Sequence, residues 1–211
     1  MERIDAFPTQ IWVDTTDNID NKTLAKFILN KQKTTDNMNM DDLRSAICVG
    51  WQSNPELYKD FFEEISDTIG KLDCLIKKMT KEIVVYNEYK KDIQIRYQGM
   101  WANINGYKDY IKPHVHPECD WSGVYYVKLP ENCGLIWFAD PRPVRHMLIR
   151  ENLWGSMPRL GCTAPRDIAT QMTVSPEVST LVMFPSFLEH FVDPNESHEP
   201  RISISFNLSF N

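Results

Sequence analysis

Two histidines stand one residue apart, His114 and His116, in the segment "YIKPHVHPECDW". Side chains at positions i and i+2 of a β-strand point to the same face, so we expect these imidazoles to lie side by side. The chain has only five histidines, and His190 follows downstream in "FPSFLEHFVDP". Imidazole is a common ligand of transition metals. The spacing therefore predicts a metal centre with two neighbouring ligands and one distant ligand.

The third ligand has alternatives in the same segment. Pro117 cannot donate to a β-ladder and is expected to end regular pairing just after His116. Beyond it the chain turns, so Asp120 or Glu118 could fold back and complete a set of two histidines and one carboxylate. We assign His116 as the third ligand, with Asp120 as the main alternative and Glu118 after it.

An arginine, Arg201, follows His190 after ten intervening residues and lies on the next predicted strand. A planar guanidinium can bind a carboxylate through two parallel hydrogen bonds. Three protein ligands on one side of a metal leave positions open for a bidentate ligand and for oxygen. Arg201 is therefore predicted to bind the far carboxylate of a dicarboxylic acid such as 2-oxoglutarate.

Two helices are predicted in the first part of the chain. The segment "IDNKTLAKFILNKQ" places Leu24, Phe27 and Ile28 at helical spacing behind a capping Asp or Asn. A longer helix is predicted from Pro55 to Met79, because apolar residues recur there with a helical period. Its aromatic stripe is expected to pack on the sheet or on a second subunit, which leaves a homodimer open.

From about Lys81 the sequence favours antiparallel β-structure, because short runs rich in Val, Ile, Tyr and Phe alternate with turn residues. The predicted strands are "IQIRYQGMWANI", "SGVYYVKL", "GLIWFAD", "QMTVS", "STLVMFP", "HFVDP" and "RISISFNLSF". Such a series is typical of a sandwich or barrel. Residues 141–170 hold four prolines and little periodicity, which predicts a long surface loop.

Composition narrows the class of protein. The net charge of −6 over 211 residues disfavours nucleic acid as a partner. No apolar run approaches the roughly 18 to 20 residues of a membrane span, and the start "MERIDAFPTQ" lacks the apolar core of a signal peptide. Five irregularly spaced cysteines are typical of reduced thiols. We therefore expect a cytoplasmic protein without a membrane segment.

Several segments together resemble a known family. The sequence is similar to a phage and marine-bacterial branch of the 2-oxoglutarate/Fe(II)-dependent oxygenases, for which the host cytoplasm would be the location. The resemblance covers most of the chain from Gly50 onward, and its elements occur in the order HxH, SGVYY, DPR, FPS and an Arg eleven residues after a His. It lies in "GWQSNPEL" (50–57), "WANINGYKDYIKPHVHPECDWSGVYYVKLP" (101–130), "GLIWFADPR" (134–142) and "LVMFPSFLEHFVDPNESHEPRISISFNL" (181–208).

The resemblance implies Fe(II) as the metal and 2-oxoglutarate as the co-substrate. It makes His114 the first iron ligand and His190 the distal one. One departure concerns His116, because most members of the wider superfamily have a carboxylate at that position.

The resemblance also implies the residues around the co-substrate. Ser203, in "RIS", is expected to help Arg201 hold the far carboxylate of 2-oxoglutarate. Tyr110 and Asn103 are expected as additional donors.

We predict a mainly β protein with N-terminal helices (α+β) and a double-stranded β-helix, or jelly-roll, core. Residues 1–80 are expected to form a helical buttress, and residues 81–211 the catalytic core of one integrated domain. The predicted function is a dioxygenase that hydroxylates an unidentified small molecule or protein side chain, with release of succinate and carbon dioxide. The rivals are a cupin-like metal- or sugar-binding module and a three-histidine dioxygenase that does not use 2-oxoglutarate.

Overall fold

The computed structural model describes residues 8–35, 47–90, 92–142 and 171–211. Most of the predicted loop at 141–170 lies outside these residues. The helices are α1 (Asn21–Thr34), α2 (Leu57–Glu64) and α3 (Ser66–Tyr86). The strands are β1 (Trp12–Thr15), β2 (Trp51–Gln52), β3 (Ile95–Asn105), β4 (Ile111–His114), β5 (Trp121–Lys128), β6 (Ile136–Ala139), β7 (Gln171–Val174), β8 (Thr180–Pro185), β9 (His190–Val192) and β10 (Arg201–Phe210).

The strands form two antiparallel sheets. The larger has the order β1-β8-β5-β10-β3-β2, and the smaller has the order β4-β9-β6-β7. Between them lies a cluster of buried apolar side chains that includes Val124, Phe138 and Phe184. The two sheets therefore face each other as the layers of a sandwich.

The helices cover the outer face of the larger sheet. Helix α1 begins behind Asp20, whose side chain accepts hydrogen bonds from the backbone N–H groups of Lys22 and Thr23. The predicted stripe of α1 is buried in the main core. Among the described helices, none is long and apolar enough to cross a membrane.

The single helix predicted from Pro55 to Met79 is wrong at both ends and in its middle. The chain forms two helices that are interrupted at Ile65, which has φ −136° and ψ 42°. Ser66 and Asp67 follow, and such residues favour helix starts over helix interiors. Helix α3 runs on to Tyr86 because the fully buried Ile83 continues its apolar stripe. The expectation of β-structure from about Lys81 is therefore wrong for residues 81–86, whose last turn is rich in β-branched side chains.

Strand β10 lies at the centre of the larger sheet, between β5 and β3. Alternation divides its side chains between the two faces. Ile202, Ile204, Phe206 and Leu208 belong to the main core under the helices. Arg201, Ser203, Ser205 and Asn207 line a cavity between the sheets.

The division at residue 80 stays a prediction. Strands β1 and β2 both precede that residue, and both pair with strands of the larger sheet.

Candidate metal centre and carboxylate pocket

The structure brings the three predicted histidines together. His114 lies directly across from His190 in the antiparallel pair of β4 and β9. His116 follows the end of β4, and its backbone N–H donates to the carbonyl of Ser186. The ring centroids lie 4.2 Å apart for His114 and His190, 4.9 Å for His114 and His116, and 5.1 Å for His116 and His190.

Three ring nitrogens, one from each histidine, lie within 4.8 Å of one another. Two nitrogens bound to one ion at about 2.1 Å each are at most about 4.2 Å apart. Small side-chain rotations can therefore gather them around one ion. Three imidazole donors suit iron, zinc or copper better than calcium or magnesium.

Two of the histidines are fixed in the tautomer that a metal requires. The Nδ1 atom of His114 lies 2.8 Å from the carbonyl oxygen of Lys112, and Nδ1 of His190 lies 3.0 Å from that of Leu188. A carbonyl oxygen only accepts, so Nδ1 carries the proton in both rings. The lone pair then lies on Nε2.

Burial also keeps these two rings neutral. Burial lowers the pKa of His114. The pKa of His190 lies well below its ordinary value because the ring is buried and the other two histidines lie beside it. Neutral imidazole is the form that binds a metal.

The two carboxylates considered as alternative metal ligands, those of Asp120 and Glu118, are not part of the histidine group. The Oδ2 atom of Asp120 accepts a hydrogen bond of 2.7 Å from the backbone N–H of Phe210. Glu118 lines the cavity beside the histidines, but it is not part of the group of ligand atoms within 4.8 Å.

Arg201 is the buried cation of the site, with 2% of its surface exposed. It donates to the carbonyl of Cys133 at 3.1 Å and to the side-chain oxygen of Asn105, its cross-strand neighbour, at 2.9 Å. Neither acceptor is charged. Among the described residues, no carboxylate forms an ion pair with Arg201.

Ser203 stands between two polar residues of the neighbouring strands. Asn103 is its partner on β3 and Tyr126 is its partner on β5, and all three line the cavity. Asn103 accepts from the amide of Gln52 and donates to the hydroxyl of Ser205, both at 3.0 Å. Burial raises the pKa of Tyr126, so its phenol remains a hydrogen-bond donor at neutral pH.

Tyr110 is not brought into this group. It is 36% exposed, and it is absent from the residues that line the cavity. Its predicted contact with a co-substrate gains no support from the geometry.

One cavity of about 440 Å³ joins the histidines to Arg201. This volume lies in the usual range for small-molecule sites. Sequence reasoning missed many of its lining residues, among them Trp101 and Asn207. The signal for Asn207 was present, because it continues the alternation of Arg201, Ser203 and Ser205 along one strand.

A protein-family model covers the part of the chain that holds these residues. Residues 99–207 match a protein-family model described as "Putative 2OG-Fe(II) oxygenase", where 2OG is 2-oxoglutarate. No curated protein sequence matches the chain.

Solved structures resemble the chain at low sequence identity. A prolyl-4-hydroxylase from Pseudomonas putida has a TM-score of 0.59 and 11% identity, over 95% of this chain and 92% of that chain. A prolyl hydroxylase from Trichoplax adhaerens, in complex with a hypoxia inducible factor peptide fragment, has a TM-score of 0.61 and 11% identity, over 94% and 83%. An oxidoreductase of the 2OG-Fe(II) oxygenase family from Burkholderia pseudomallei has a TM-score of 0.41 and 12% identity, and the chain spans only about half of it, 48%. The first two likenesses confirm the predicted jelly-roll fold.

Proposed function

Because the chain belongs to the 2OG-Fe(II) oxygenase family, we propose that His114, His116 and His190 hold its iron and that Arg201 binds its co-substrate. Iron(II) is the metal and 2-oxoglutarate the co-substrate of this dioxygenase. Together they supply oxidative decarboxylation: one oxygen atom of O₂ enters succinate, carbon dioxide leaves, and the other oxygen atom goes to the substrate.

The buried Arg201 is the observation that carries the assignment of the co-substrate. A buried cation without an ionic partner is costly, and the described residues provide only neutral acceptors for it. The far carboxylate of 2-oxoglutarate would supply the missing negative charge through two parallel hydrogen bonds. This burial also counts against a cupin-like binding module, which has no need of such a cation.

Around Arg201, neutral donors are placed to complete the carboxylate pocket. The hydroxyls of Ser203 and Tyr126 line the same cavity and occupy neighbouring strands. Asn103 would act mainly by holding the pocket in shape, since its amide is already paired with Gln52 and Ser205.

We assign His116 as the third ligand. Its ring lies within reach of the other two, whereas the carboxylate of Asp120 is hydrogen-bonded to the backbone of β10. Three neutral imidazoles leave the iron site one unit more positive than two imidazoles and a carboxylate. That charge favours binding of the dianionic co-substrate.

The substrate that is hydroxylated is proposed to be a small molecule or a protein side chain. The cavity of about 440 Å³ has room for 2-oxoglutarate and one further small group. A chain with a net charge of −6 favours substrates other than nucleic acid.

The direct test is turnover of 2-oxoglutarate without the primary substrate. Purified protein with Fe(II), 2-oxoglutarate and air should form succinate slowly, as measured by mass spectrometry. His190→Ala should abolish this turnover, and His198→Ala, an exposed histidine, should leave it unchanged. Absence of succinate above a metal-free control, at every iron concentration, would contradict the proposal.

A further inference from the structure

His116 differs from the other two histidines in the partner of its Nδ1 atom. His114 and His190 each face a backbone carbonyl, but Nδ1 of His116 lies 3.3 Å from the side-chain nitrogen of Asn207. An amide nitrogen can only donate. In this arrangement Nδ1 of His116 accepts, and the proton of the neutral ring lies on Nε2.

That tautomer is unsuitable for a metal on Nε2. To bind there, His116 must carry its proton on Nδ1, and Nδ1 then needs an acceptor. Asn207 has one, its side-chain oxygen, on the other side of the same amide group. A half-turn of the amide about its terminal bond exchanges the two atoms without moving the backbone.

The surroundings of Asn207 allow this exchange. Its side-chain oxygen accepts a hydrogen bond of 2.8 Å from the hydroxyl of Ser122, and this hydroxyl lies 2.8 Å from that of Ser186. Both serines are buried, with 1% and 0% of their surface exposed. A hydroxyl can donate and accept, so Ser122 can accept from the turned amide and donate to Ser186 instead. The Asn207 amide and the Ser122 hydroxyl keep these partners in both arrangements, and Ser186 changes from donor to acceptor.

We propose that Asn207 is a positioning residue that sets the tautomer of His116, and that metal binding requires its amide to turn. The hydrogen bonds that link Asn207, Ser122 and Ser186 then run in the opposite direction, with Asn207 donating to Ser122 and Ser122 donating to Ser186. This inference rests on the proposed role of His116 as a metal ligand. Of the three proposed ligands, only His116 requires a rearrangement of its partner before it binds the metal. Its Nδ1 atom faces an amide that can both donate and accept, whereas Nδ1 of the other two histidines faces a backbone carbonyl.

Two substitutions of Asn207 have opposite expected effects on metal affinity. A carboxylate can only accept, so Asn207→Asp fixes the proton on Nδ1 of His116 and should tighten binding. Asn207→Leu removes the partner at similar size and should weaken binding by about 10- to 100-fold. The measurement is titration with Co(II), followed by its visible absorption, with Asn18→Asp as a control for added negative charge at an exposed site. A role in packing alone would weaken binding in both Asn207 variants, and that result would overturn the inference.

The tautomer can be read directly by ¹⁵N NMR of the five histidines. In the metal-free protein, His114 and His190 should carry the proton on Nδ1 and His116 on Nε2. Zn(II) should move the proton of His116 to Nδ1, and Asn207→Asp should do so without metal. A proton on Nδ1 of His116 in the metal-free wild type would overturn the proposed turn of the amide.

Failure of the metal site itself is distinguishable from failure of this inference. If wild type and His190→Ala bind Co(II) equally, the proposed metal centre is wrong and the inference falls with it. If only His190→Ala loses Co(II) while both Asn207 variants bind as wild type does, the metal centre stands and the role of Asn207 is wrong.

Discussion

Arg201 keeps its charge in a place where charge is disfavoured. Burial lowers its pKa, but the ordinary pKa of an arginine is so high that the guanidinium remains protonated at neutral pH. Its two hydrogen bonds to neutral oxygens orient the guanidinium without neutralising it. The positive charge is thus held in the cavity before any anion arrives, which is a preorganised site.

Removing this guanidinium should separate co-substrate binding from metal binding. We expect Arg201→Ala to weaken the binding of 2-oxoglutarate by about 2 to 5 kcal/mol, while the affinity for Fe(II) stays nearly unchanged. Arg201→Lys should restore only part of the loss, because an ammonium lacks the two-pronged geometry. Anaerobic titration of the Fe(II) protein, followed by its visible charge-transfer band, measures both. Equal 2-oxoglutarate affinity in all three proteins would remove Arg201 from the site.

The third ligand can be identified by comparing two neighbours in the chain. We expect His116→Ala to lose iron and the uncoupled formation of succinate. Asp120→Ala should retain both and lose only stability, because the N–H of Phe210 loses its acceptor. Iron content after desalting gives the answer. Loss of iron in Asp120→Ala with retention in His116→Ala would reverse our assignment.

At the scale of elements, two signals made most of the β-structure predictable, namely alternation in β10 and short apolar runs between turn residues elsewhere. The strand predicted as "RISISFNLSF" matches β10 at Arg201–Phe210, because its polar and apolar residues alternate without interruption. Strands β5 and β8 were located within one residue at each end by a different signal, a short apolar run bounded by turn residues. The HxH spacing predicted two neighbouring imidazoles on one strand, and the two rings are neighbours although β4 ends at His114 and His116 follows it.

Other elements gave no local signal. Strand β4 carries Pro113 and only four residues, so nothing in its sequence favours a strand. It forms because β9 pairs with it, and that contact joins residues far apart in the chain. The hydrogen bond between Asn207 and His116 is equally non-local, and only the folded chain reveals it.

The junction of β5 with β10 tolerates no side chain at Gly123. A Cβ atom there would lie 2.3 Å from the ring of Phe206, so Gly123→Ala should destabilise the protein by about 1 to 3 kcal/mol. Gly70→Ala is the matched control, since nothing lies within 4 Å of the added atom in α3. It should stabilise by about 0.5 to 1 kcal/mol. Urea unfolding measures both, and equal midpoints would contradict the expected clash.

For the whole molecule, the half-buried His114 and the buried His190 predict how the free energy of unfolding depends on pH. The pKa values of His114 and His190 are lowered by burial, whereas the unfolded chain titrates near 6.5. Below that pH the unfolded state takes up protons that the folded state does not, so the free energy of unfolding falls. Urea unfolding of the metal-free protein should show this loss as the pH is lowered from about 6.5.

The matched variants for this pH dependence are His190→Gln and His198→Gln, a buried and an exposed position. The first should flatten the acid loss of stability, and the second should preserve it. An unchanged slope in His190→Gln would assign the effect to other groups.

The pairing of His114 with His190 also bears on how long the protein survives in a cell. An ion bound to both residues would tie together two points separated by 75 intervening residues, and a cross-link over such a loop is worth about 3 to 5 kcal/mol on the chain-entropy account. Under iron starvation this tie is absent, a larger fraction of the chains is unfolded, and proteases remove them faster. We expect the abundance of the protein, and not only its activity, to follow the iron supply.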